Sequence, residues 1–75
     1  MFVYQVTHRY YFGSRAAHEC KDHTVNYFST IEKARTCVKD LLGEDAKCDN
    51  DFGFDIWVSD FHPNTEYIID VIRVY

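Results

Sequence analysis

Only one stretch of this chain carries a helical period. In STIEKARTCVKDLLG, residues 29–43, Ile31, Ala34, Val38, Leu41 and Leu42 recur at three- and four-residue intervals with Cys37 beside them. Glu32, Lys33, Arg35, Lys39 and Asp40 point elsewhere, so the segment reads as one amphipathic helix. Ser29 and Glu32, three apart, suit a capping box at its start, and Gly43 suits its stop. A helix of about 14 residues is only ~21 Å long. Everything else in the 75 residues must be sheet or loop.

The flanking segments have the two-residue period of strands. FVYQVTHRYYF, residues 2–12, places Phe2, Tyr4, Val6, His8, Tyr10 and Phe12 on one face and Gln5, Thr7 and Arg9 on the other. Gly13 and Ser14 end it, and a polar loop to about residue 23 leads to TVNYF, a second strand joined by an unusually long connection. After the acidic loop EDAKCDND, the run FGFDIWVSDF alternates again. Phe52, Phe54, Ile56 and Val58 share one face, and Asp55, Trp57, Ser59 and Phe61 the other. HPNT makes a turn, with Pro63 at the position of fixed φ and Asn64 after it. EYIIDVIRVY, apolar on both faces and rich in β-branched residues, suits a central strand.

The expectation is an α+β fold in the order β-β-α-β-β: a four-stranded, mainly antiparallel sheet with one helix packed on one face, in a single domain spanning residues 1–75. Parallel contact between the first and last strands stays open if both are central. The expected core is the even face of the first strand, the helix stripe and the even face of the third strand. A chain this short buries only about 60% of the surface its unfolded form exposes.

A net charge of −4 and scattered basic residues argue against direct nucleic-acid binding, which needs clustered lysine and arginine. No run approaches the roughly 18 apolar residues of a membrane span, and the chain opens on strand-like FVYQV, not on a signal-like charged and apolar region. The expected location is cytoplasmic, with no membrane contact and no processing. Three cysteines, Cys20, Cys37 and Cys48, would leave one thiol over from any disulfide framework, which fits reduced thiols.

One helix cannot cover both faces of a four-stranded sheet. Tyr11, Trp57 and Phe61, with members of Tyr67, Ile69, Val71 and Tyr75, are the residues expected on the open face, where grouped aromatics mark a protein contact. A second copy of the chain is one such partner. A further candidate is acidic: Glu44, Asp45, Asp49, Asp51, Asp55 and Asp60, relieved only by Lys47, could meet a basic partner such as a nucleic-acid-binding protein.

Signals for chemistry are weak. HECKDH offers His18, Cys20 and His23 to a metal, but three ligands from six residues need a tight wrap, and no CxxC or HxxxH accompanies them. In DNDFGFD the calcium-loop pattern fails, because Gly53 falls at the fifth position where the sixth is required. No GxSxG or phosphate-cradling glycine loop is present, so neither catalytic residues nor a cofactor are expected. The alternative to a protein-binding module is a small-ligand or nucleotide-sequestering protein, with Trp57, Tyr11, Arg9 and Arg73 stacking and pairing with phosphate.

VYQVTHRYY, the run NYFSTIEKARTCVKDLL and the closing YIIDVIRVY together resemble a pattern in short phage and mobile-element proteins of bacteria, in which a strand leads to an FST-x-EKA helix start and the chain closes on a strand. This sequence departs from it in a longer connection at residues 13–23 and more aromatic residues. The resemblance implies a non-enzymatic inhibitor of a host defence system, such as an anti-CRISPR protein, acting by occluding a surface in the host cytoplasm.

Overall fold

The computed structural model describes residues 1–13, 19–50 and 53–74. Expectations for Ser14, His18, Asp51, Phe52 and Tyr75 lie outside them. The helix, α1, spans Ile31–Leu42, and its buried side chains are Ala34, Val38 and Leu42, whereas Leu41 of the expected stripe is exposed. Its N-cap is Thr30, not Ser29: the Thr30 hydroxyl accepts from the Lys33 amide at 3.3 Å. The expected capping box is therefore replaced by a single side-chain cap one residue later. Gly43 ends the helix as expected. Its amide donates to the Lys39 carbonyl at 2.8 Å, and its φ of 86° is one that a residue with a Cβ adopts only under strain.

Five strands form one antiparallel sheet: β1 Phe2–Tyr11, β2 Cys20–Phe28, β3 Lys47–Asp49, β4 Asp55–Val58 and β5 Thr65–Arg73, in the spatial order β2-β1-β5-β4-β3. The α+β class and the helix on one face match the expectation, and β3 is an added short strand inside the acidic loop. β5 is central as read, but it runs antiparallel to β1, from the pair Phe2 and Arg73 to the pair Tyr10 and Thr65. β2 begins at Cys20, so the last four residues of the expected loop, 20–23, are strand. The turn before β5 forms as read: the Thr65 amide donates to the His62 carbonyl at 3.1 Å across Pro63 and Asn64.

Directly paired residues of antiparallel strands share a face, so the register fixes both sides of the sheet. Val6 pairs with Ile69, which pairs with Asp55, and Tyr67 pairs with Trp57. These positions lie under α1, where Val6, Ala34, Val38, Leu42, Trp57 and Ile69 form the core, edged by Tyr4, Phe28, Ala46 and Tyr67. Burying side chains of this size is worth roughly 1.5–3 kcal/mol each. The even face of β1 is the core face as expected, but β4 is inverted: Asp55 and Trp57 point inward and Ile56 outward. The cause is a salt bridge that lets a carboxylate occupy the core. Asp55 is 3% exposed, and Arg35 donates to it from Nε at 2.7 Å and Nη2 at 3.3 Å, with Trp57 Nε1 adding a third bond at 3.2 Å.

Candidate functional site

The side of the sheet away from α1 carries Gln5, Thr7, Arg9 and Tyr11 from β1, Asp70, Ile68 and Glu66 from β5, Ile56 and Val58 from β4, and Asp22, Thr24 and Tyr27 from β2. No helix among the described residues lies over it. The expectation that one face is left uncovered therefore holds, but its lining differs from the one expected. Trp57 and Ile69 are in the core, 6% and 2% exposed, and Tyr67 is half-buried on the helix side, stacked on His8 at 4.9 Å between ring centroids. Val71 is exposed but also on the helix side, as its pairing with Tyr4 requires. Phe61, 75% exposed, sits in the turn between β4 and β5 instead of on the sheet. Among the described residues, Tyr11 alone of the expected aromatics belongs to the open face, and it is buried there.

The acidic residues disperse in the same way. Asp55 is consumed by the core, Asp60 pairs with Lys47 at 3.1 Å, and Asp49 is exposed on β3. Of the metal candidates, Cys20 pairs with Tyr11 and His23 with His8, which sends their side chains to opposite faces of β2. Convergence of those two on one ion is excluded by the pleat. The nucleotide set also separates, since Trp57 and Arg73 belong to the helix side and Tyr11 and Arg9 to the open side.

What the open face presents is an ordered polar ladder. Arg9 donates to Asp22 from Nε at 2.8 Å and Nη2 at 3.1 Å, and the Tyr11 hydroxyl donates to Glu66 at 3.0 Å. The two pairs, Asp22 with Arg9 and Tyr11 with Glu66, stand side by side across β2, β1 and β5. Gln5 Nε2 extends the face with a bond to Thr24 Oγ1 at 3.0 Å. The Arg9 hydrogen bonds hold the Asp22 carboxyl below its ordinary range, and burial, then the bond to Glu66, pushes the Tyr11 hydroxyl up. Both shifts stabilise the ladder in its observed protonation states at neutral pH.

Beside the ladder lies a cavity of about 320 Å³ lined by Thr7, Arg9, Asp22, Phe54, Ile68 and Asp70. Phe54 comes from the segment that enters β4, and Ile68, 6% exposed, is the apolar floor. The sequence reading missed this site by assigning Phe54 to the core face. The usable signal was Asp70, the lone acidic residue inside YIIDVIRV. Two hollows of about 430 and 440 Å³ flank α1, and each, like the cavity beside the ladder, is lined by one basic and two acidic side chains among the described residues.

No family model, curated protein or solved structure matches the chain.

Proposed function

We propose that the chain is a non-enzymatic protein-binding module that docks a basic partner on the uncovered sheet face. The observation that carries this is the ladder itself: a rigid, hydrogen-bonded polar surface held on three adjacent strands with no second layer over it among the described residues. Side chains already fixed by mutual hydrogen bonds lose little entropy on docking. Asp22, Glu66, Asp70 and Asp49 outnumber Arg9 and Lys47 on this side, in a chain of net charge −4, so approach of a basic surface is favoured and its rate should fall with salt. Function as a phage-encoded inhibitor that occludes a host defence component, such as a CRISPR effector, in the cytoplasm is the narrower form of this proposal. It is supported by the resemblance of the FSTIEKA helix start and flanking strands.

Affinity capture from a bacterial lysate, followed by hydrogen exchange on the recovered complex, tests the proposal. A stoichiometric protein that slows exchange in β1 and β5 and is lost by Gln5→Arg supports it. Recovery of a heat-releasable small ligand with no protein would overturn it in favour of a sequestering role. A dimer mass by light scattering, with protection on the same face, would make a second copy the occupant.

A further inference from the structure

We infer that the cavity beside the ladder is an anchor pocket for one arginine side chain of the protein partner. This rests on the docking face proposed above and names the group that enters it.

Three observations select the occupant. First, the cation in the cavity wall is already committed: Arg9 holds Asp22 through two hydrogen bonds. An incoming anion would have to displace an intramolecular carboxylate. Second, Asp70 lines the same cavity and, among the described residues, makes no hydrogen bond or ion pair, whereas Asp22 pairs with Arg9, Glu66 with Tyr11, and Asp49 is also engaged. The cavity therefore presents an unneutralised negative charge. Third, the rest of its described lining is Phe54, Thr7 and the buried Ile68.

An aromatic ring beside a free carboxylate suits a planar guanidinium, which stacks on the ring while donating two parallel bonds to the carboxylate. Ammonium, a compact and strongly hydrated point charge, uses the ring less well. At about 320 Å³ the space is at the small end of ligand pockets, enough for a side chain and too small for a dinucleotide cofactor.

The test is amide NMR of the whole chain titrated with three capped tripeptides, glycine-X-glycine, in which X is arginine, lysine or citrulline. The arginine peptide should shift the amides of Thr7, Ile68 and Asp70 along one saturable curve. Citrulline, nearly the same shape without the charge, should bind at least about tenfold more weakly, as loss of a charge-assisted hydrogen bond predicts. Asp70→Asn should weaken the arginine peptide to the citrulline level while its thermal melt stays that of the parent, because Asp70 supports no internal bond. Phe54→Leu should weaken arginine several-fold and narrow its advantage over lysine. Equal binding of arginine and citrulline, or an Asp70→Asn titration unchanged from the parent, overturns the pocket. If the pocket fails in this way while a captured protein still protects β1 and β5, the docking face stands without it; loss of both removes the docking face as well.

Discussion

Asp55 is the residue on which the core's register turns. A buried carboxylate costs several kcal/mol to desolvate unless its partners are well placed, and here Arg35 and Trp57 supply three donors. The Arg35 hydrogen bonds hold the Asp55 carboxyl below its ordinary range against the opposing effect of burial. Arg35→Met should cost about 2 kcal/mol, less than the ~3–5 for a fully buried pair, because the Arg35 side chain keeps 38% exposure. Adding Asp55→Leu to Arg35→Met should recover part of that loss in urea denaturation; a double variant weaker than the single one would show that the Trp57 bond to Asp55 matters more than the charge. The pH dependence follows with its sign. Asp55 and Asp22 are both depressed, so their contribution is present above about pH 3.9 and lost as pH falls through the folded values. His8 is also depressed, by burial and then by its neighbour His23, so the folded chain takes up its proton later than the unfolded one. Its contribution is complete above about pH 6.5 and declines below it. Stability measured by urea midpoint should thus fall in two stages on acidification, and His8→Gln should abolish the upper stage alone.

At the scale of elements, the two sheet edges are protected in different ways. β3 is three residues long and ends beside the Lys47 and Asp60 pair. β2 is nine residues long and exposed along nearly its whole length, the kind of edge that recruits other strands. It carries Lys21 and Asp22 at one end, an unpaired Val25 opposite the Val6 and Thr7 step of β1, and at the other end an Asn26 side chain that accepts the Tyr27 amide at 2.8 Å. That donor is closed to an incoming strand. Asn26→Val frees it and adds a β-branched residue, so the variant should sediment as a larger, concentration-dependent species than the parent; identical sedimentation would leave the bulge and charges as sufficient protection. The same exposure explains what the sequence hid. An edge strand wetted on both faces has no reason to alternate, so Cys20–His23 and Lys47–Asp49 read as loop. β4 read upside down because a charged residue at its inward position, Asp55, is stabilised by a partner 20 positions away in the chain. Where burial follows hydrophobicity, in the stripe of α1, the Val6 face of β1 and central β5, the pattern was legible, as were the helix stop at Gly43 and the turn at Pro63. The candidate site was not, since the ladder joins residues of three strands whose pairing only the register reveals.

Taken as a whole molecule, the chain places its apolar core on one side of a thin sheet, and no helix among the described residues covers the other side. A domain of this length has a total stability of roughly 4–11 kcal/mol, supplied chiefly by the six-residue cluster beneath α1. Val6 and Thr7 are neighbours on β1 whose side chains point to opposite faces, which makes them a direct measure of the asymmetry. Val6 is fully buried, and Val6→Ala should cost about 2–3 kcal/mol through lost burial and the cavity left behind. For a chain this small that corresponds to a fall in Tm of roughly 10–20 °C. Thr7 stands on the ladder face, half-buried and lining the cavity, so Thr7→Ala should cost only about 0.5–1 kcal/mol, the loss of a β-branched residue from a strand. Ile68, buried on the same face, does not reverse this expectation, because no helix or second sheet among the described residues lies over it. Paired thermal melts decide the matter. If Thr7→Ala proves as damaging as Val6→Ala, the outer face is a second core with something packed over it, and a surface that is already covered cannot receive a partner.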